Sequence, residues 1–241
     1  MARRGGQTER AVSRPLPRLA GACPYAWPVG GDWRAADTAL LVIDMQRDFL
    51  DPDGYFAALG ENAGELRDAV APAAQVLMLA RELGMRVIHT REGHRPDLAD
   101  LNKTKRARAQ AMGAPIGSAG PLGRLLVRGE PGWDSVAEMA PVADEIVVDK
   151  CGNGAFHATD LDQILRANGI RNLWLLGVTT DVCVSSTMRE ANDRGYDVLL
   201  ISDACRAATP ALHEATLAGI EREGGVFGAH ISSSALVKAV R

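Results

Sequence analysis

The sequence predicts an α/β fold: three layers, α/β/α, around a mostly parallel six-stranded sheet. Three observations predict it. Short apolar runs recur along the chain, from ALLVID (39–44) to VFGAHIS (226–232). Segments with helical spacing separate them. The runs lack the in–out alternation of a half-exposed strand, so both faces of the sheet are covered.

Each element has its own signal. ALLVID (39–44) is closed by an aspartate, and AGELRDAVAPAAQVLMLARELG (63–84) has helical spacing and stops at a glycine. MRVIHT (85–90) is the second strand. The stretch 91–142 is irregular and rich in Gly, Pro and charge, so pocket loops belong there. EIVVDK (145–150) is the third strand, and TDLDQILRANGI (159–170) is a helix with Thr159 as its N-cap. NLWLLGV (172–178) is the fourth strand and CVSSTMREANDRG (183–195) the helix after it. YDVLLISDAC (196–205) is the fifth strand, and TPALHEATLAGIEREGG (209–225) is a helix leading to the last.

Bulk properties exclude several classes. The 241 residues suit one domain, expected over 23–241. MARRGGQTERAVSRPLPRLAGA (1–22) is basic, with no apolar core of signal-peptide length, and reads as a flexible or surface-draped arm. A net charge of −3 offers no nucleic-acid stripe; the basic run NKTKRARA (101–108) reads as a solvated face. No apolar run reaches the ~18 residues of a membrane span. The four cysteines (23, 151, 183, 205) have neither metal spacing nor a disulfide framework. A reducing cytoplasm is the expected location. No G-x-G-x-x-G or P-loop is present, so no nucleotide cofactor is expected.

Chemistry in an open parallel sheet sits beyond the carboxyl ends of the strands. Strand one ends in Asp44, strand three in Lys150, and strand four runs through GVTTDV to Cys183. Singly, these read as a cap, a solvent-facing cation and a buried filler. Together they bring a carboxylate, an ammonium and a thiol to one sheet edge. A helix N-terminus and a nearby lysine lower a cysteine pKa, so a thiolate nucleophile is expected. Asp44 can take the thiol proton and return it to a leaving amine.

LLVIDMQRDF (40–49), DK (149–150) and GVTTDVCVSSTMREANDRGYDV (177–198) resemble the isochorismatase-like cysteine hydrolases. The resemblance implies a six-stranded, Rossmann-like sheet in a dimer or tetramer. It implies Asp44 as acid and base, Lys150 as the orienting cation and Cys183 as nucleophile. It further implies a cis peptide at Val178–Thr179, aiming the Thr179 N–H, with that of Cys183, at the oxyanion.

Within the family, HTREGHRPDLADL (89–101), RGEPGWD (128–134) and GGVFG (224–228) resemble biuret hydrolases. This implies hydrolysis of a small ureide with release of ammonia. Phe49, Arg91 and Glu223 are then the expected substrate contacts. Biuret hydrolases carry glutamine where Glu223 stands, so a cationic ureide such as guanylurea suits that carboxylate. Alternatively, Glu223 turns to solvent or pairs with Arg91 or Arg222. Triuret is a further rival to biuret. The remaining alternatives are an N-carbamoylsarcosine or ureidoacrylate type of amidase, which needs pocket groups for a carboxylate, or a non-catalytic binding protein. Nicotinamidases of the family use two histidines for a metal; here Glu92-x-His94 has no second histidine beside it, and no metal is expected.

Overall fold

The computed structural model describes residues 14–241. The sheet strands are β1 (Thr38–Ile43), β2 (Arg86–Glu92), β3 (Ile146–Lys150), β4 (Asn172–Val178), β5 (Asp197–Arg206) and β6 (Ala229–Ile231). They lie in the order β3-β2-β1-β4-β5-β6, and every neighbouring pair is parallel. All six apolar runs of the sequence are therefore strands of one sheet. Every residue of β1 and of β4 is buried, which is why these two read as unbroken apolar runs.

The main helices are α1 (Val70–Glu82), α2 (Lys103–Ala111), α3 (Leu161–Ala167), α4 (Ser185–Asp193), α5 (Pro210–Glu221) and α6 (Ser233–Val240). α1 and α6 pack together on one face of the sheet. Right-handed crossovers carry α3, α4 and α5 to the other. The result is the expected three-layer α/β/α architecture. No helix of the described residues is long and apolar enough to cross a membrane.

The differences from expectation have local causes. The helix expected over 63–84 is two, Ala63–Arg67 and α1. Pro72 lies in the first turn of α1, where a missing N–H costs nothing; a continuous helix would drive its ring into the residue 68 carbonyl. Asp160 takes the N-cap position of α3 without a side-chain bond; the Thr159 hydroxyl beside it accepts from the Leu161 N–H at 3.3 Å and donates to the Ala155 carbonyl. α6 is an additional helix, capped by Ser232, which accepts from the Ala235 N–H.

Residues 1–13 of the expected flexible arm lie outside the described residues. Its later part is tied down. Leu16 bridges Trp33, Leu19 bridges Trp27, and Leu19 is buried. Trp33 meets Trp174 of β4 in a tilted pair, ring centroids 5.1 Å apart, so this segment closes part of the core.

Where β4 passes the end of β1, the backbones nearly touch. Gly177 sits at φ 125°, and a Cβ there would lie 2.0 Å from the Ile43 carbonyl oxygen. Ile43 directly precedes Asp44. Gly177→Ala should therefore both destabilise the fold, by about 1–3 kcal/mol, and depress any activity that needs Asp44. Urea unfolding midpoints check the first part; an unchanged midpoint would show that the β1–β4 seam yields freely.

Candidate active site

The three expected residues meet at the carboxyl edge of the sheet. Asp44 follows β1, Lys150 ends β3, and Cys183 follows β4. Asp44 has φ 50°, an uncommon conformation for a non-glycine residue, and its amide sits against Thr90. Thr90 donates to Asp44 Oδ1 at 2.7 Å. Lys150 is fully buried; its Nζ lies 2.7 Å from Asp44 Oδ2, 2.9 Å from the Gly152 carbonyl and 3.6 Å from Cys183 Sγ.

Cys183 enters on a single π-helical turn, Thr180–Val184, that runs into α4. The helix thus starts three residues before the thiol. Such turns are rare and collect at functional sites. The Thr179 carbonyl accepts from both Val182 and Val184 N–H groups, which fixes the turn. The Val178–Thr179 peptide is cis, as the resemblance implies.

A fourth residue completes the cluster and has no role in the sequence reading. Glu92 Oε2 lies 3.1 Å from Lys150 Nζ and accepts from Cys183 Sγ at 3.2 Å. Its Oε1 pairs with Lys105 at 2.7 Å. Gln46 clamps the Glu92 backbone, accepting from its N–H at 2.7 Å and donating to its carbonyl at 3.0 Å. The signal was present in strand periodicity. Side chains of β2 alternate, so Thr90 and Glu92 face the site together.

Charge decides the resting state. Burial would raise Glu92, but Lys150 and Lys105 pull it down to about 2. Burial raises Asp44 above the usual carboxylate range, with Lys150 opposing and Glu92 reinforcing. Burial would lower Lys150; the surrounding carboxylates and thiol hold it well above its usual value. Burial also pushes Cys183 well up, with Lys150 opposing and Glu92 and Asp44 reinforcing. Burial and the two carboxylates work against the expected resting thiolate, and Lys150 works for it.

The pocket above the thiol encloses about 270 Å³. Phe49 lines it as expected, with Tyr55, Phe56 and Met112 completing an apolar wall. Two of the expected contacts are not there. Arg91 points to the opposite face of β2 from Glu92, stacked 3.6 Å over Trp133 and paired with Asp149 at 3.0 Å. Glu223 is exposed on the turn after α5, at φ 55°, and does not line this pocket within the subunit. The basic run is the converse case. α2, built from 103–111, covers the pocket, and Lys105 and Arg108 line it. Among the described residues the Arg108 side chain makes no hydrogen bond or ion pair, and it is exposed.

Asp44, Glu92 and Cys183 donor atoms all lie within 4.8 Å of one another, a spacing that suits a cation. The Lys150 ammonium is that cation in this arrangement. His94 takes no part; it is buried, 3.2 Å from Asp100.

Glu92→Gln should lower the Cys183 pKa, because it removes an anion facing the thiol. Alkylation of Cys183 at neutral pH should rise about tenfold for each unit of that shift. An unchanged alkylation rate would remove Glu92 from the thiol's electrostatics. The substitution also bears on acid stability. Glu92 titrates at about 2 in the fold against an ordinary 4.5. Its stabilisation is present above the ordinary value and lost as pH falls toward the folded one. Glu92→Gln should flatten the stability profile across that window.

The isochorismatase domain family matches residues 38–233. Among curated proteins, the ureidoacrylate amidohydrolase RutB of Stutzerimonas stutzeri is 34% identical over 204 residues, 78% of this chain and 77% of that one. RutB of Azorhizobium caulinodans is 32% identical over 189 residues, 72% of this chain and 78% of that one. Among solved structures, a cysteine hydrolase from Pseudomonas syringae pv. phaseolicola aligns with TM-score 0.73 and 27% identity, covering 95% of this chain and 98% of that one. N-carbamoylsarcosine amidase from Thermoplasma acidophilum aligns with TM-score 0.62 and 27% identity, over 82% of this chain and 96% of that one. With the sheet order, the cis peptide and the Asp44–Lys150–Cys183 cluster, these matches identify the chain as a member of the isochorismatase family of hydrolases.

Proposed function

We propose that this chain is a cysteine amidohydrolase that cleaves the terminal C–N bond of a small ureide carrying a carboxylate. Curated relatives named for ureidoacrylate support the bond class. The observation that carries the carboxylate is Arg108. It stands unpaired at the rim of a pocket whose one lining acid, Glu92, is already neutralised by Lys105 and Lys150.

The chemistry follows from the charges. Asp44 and Cys183 are both displaced upward, so a proton can pass from Sγ to Asp44 without changing the net charge of the cluster. Sγ attacks the ureido carbonyl carbon. Lys150 steadies the thiolate while it exists, and the Thr179 and Cys183 N–H groups receive the oxyanion. The C–N bond to the terminal nitrogen breaks, Asp44 returns its proton, and ammonia leaves. Water then cleaves the thioester, giving a carbamate and the free thiol. Glu92 stays ionised throughout and orients both Lys150 and Sγ. Unlike Asp44, it is too weak a base to hold the proton.

Biuret is the second reading, favoured by the HTREGHRPDLADL, RGEPGWD and GGVFG segments. Guanylurea loses the support of Glu223, and its cation would face Arg108. The test is ammonia release from ureidoacrylate, N-carbamoylsarcosine, biuret, triuret and guanylurea by wild type, Arg108→Met and Cys183→Ala. Carboxylate-bearing ureides should be preferred. Arg108→Met should raise their KM about 10- to 100-fold, the worth of one charge-assisted hydrogen bond, and leave biuret unaffected. Cys183→Ala should cost about 10³-fold or more in every case. Preference for biuret or guanylurea, with Arg108→Met indifferent, overturns the carboxylate reading.

The working protein is proposed to be a homo-oligomer in the cytoplasm, needing no cofactor. α5 has 12 residues and buries only Ile220, while Leu212 stays 45% exposed. Leu212→Glu should reduce the mass measured by light scattering. An unchanged mass removes α5 from the contact.

A further inference from the structure

A second cluster of ligating side chains lies away from the catalytic edge. Cys23 comes from the N-terminal segment, Glu221 from the last turn of α5 and His230 from β6. Cys23 and His230 are a directly paired antiparallel bridge. Each donates its backbone N–H to the other's carbonyl, at 2.9 and 2.8 Å. Paired residues of this kind hold their side chains next to each other. Glu221 Oε1 lies 2.8 Å from His230 Nε2. One thiol sulfur, one carboxylate oxygen and one imidazole nitrogen thus fall within 4.8 Å of one another.

We propose that Cys23, Glu221 and His230 form a binding site for a borderline-soft divalent cation, zinc above others. A thiolate, an imidazole and a carboxylate are the donor types zinc takes, whereas magnesium and calcium want oxygen alone. Tetrahedral zinc sets its sulfur, nitrogen and oxygen ligands roughly 3.3–3.5 Å apart. The Glu221–His230 contact need open by only about half an ångström to reach that spacing. Glu221 is free to do so, since its side chain is 45% exposed. Cys23 is exposed, leaving the fourth position to water. The carboxyl end of α5 points partial negative charge at the same place, which also favours a cation.

The site has a structural consequence. β6 is the edge strand and only three residues long. A metal there would fasten the N-terminal segment across that edge. Binding needs the thiolate, so affinity should rise with pH as the proton is displaced.

The test titrates chelator-treated protein with cobalt and with zinc. Wild type should bind one equivalent with micromolar or tighter affinity, and cobalt should give a thiolate-to-metal charge-transfer band. Cys23→Ser should abolish that band and the zinc-dependent rise in Tm. His230→Ala and Glu221→Gln should each weaken binding at least tenfold, with far-ultraviolet circular dichroism confirming that they fold. Cys183→Ala should keep the band. Two results overturn the proposal. One is no bound equivalent at micromolar free metal. The other is binding that survives Cys23→Ser and disappears in Cys183→Ala, which assigns the metal to the catalytic cluster.

Discussion

Lys150 carries a full positive charge with no access to water. Burying such a group costs several kcal/mol unless its partners are close and well aimed. Here they are Asp44 at 2.7 Å, Glu92 at 3.1 Å and the Gly152 carbonyl at 2.9 Å. These partners come from the ends of different strands, so the ammonium fixes how β1, β2 and β3 finish. The register agrees: Glu92 stands directly beside Lys150, and Thr90 beside Ile43, one residue before Asp44. Each partner is then held in turn, Asp44 by Thr90 and Glu92 by Gln46. Removing the lysine would leave two buried carboxylates facing each other.

The same ion pairs set the order of chemical events. Lys150 attracts a thiolate while burial and the two carboxylates oppose one. On the proposed mechanism the thiol keeps its proton until a base inside the cluster takes it. The two carboxylates are not equivalent candidates. Glu92 sits between two ammonium groups, whereas Asp44 has one. Environments that push two acids apart assign their roles. On the proposed mechanism, Asp44 moves protons and Glu92 supplies a fixed charge.

How much of this the sequence disclosed depended on the kind of signal. Strands buried on both faces are unbroken apolar runs, so the whole sheet was legible. So was the convergence of Asp44, Lys150 and Cys183, because strand ends in such a sheet share an edge. What failed were side-chain directions. Arg91 and Glu92 are neighbours, yet strand alternation sends one to Trp133 and the other to the thiol. The register needed to choose between them is set by pairing with β1 and β3, which no short segment contains. The basic run of α2 failed differently. Charge reads as exposure, and most of α2 is indeed exposed, with only Ala109 buried. Nothing in KTKRARAQA states that it lies across a pocket mouth. Glu223 belongs to an exposed turn in which it, Gly224 and Gly225 all take positive φ.

On the proposed reading, α2 joins substrate choice to catalysis. Lys105 and Arg108 are three residues apart, on one face of α2. Lys105 reaches inward to Glu92, and Arg108 stands at the rim. The wall between them is largely aromatic and aliphatic, so an anion held there is poorly screened by water. The Lys105 pairing lessens the negative field that Glu92 casts on Cys183, which eases loss of the thiol proton. On the proposed reading, the residue that meets an anionic tail and the lysine that holds Glu92 therefore belong to the same short helix.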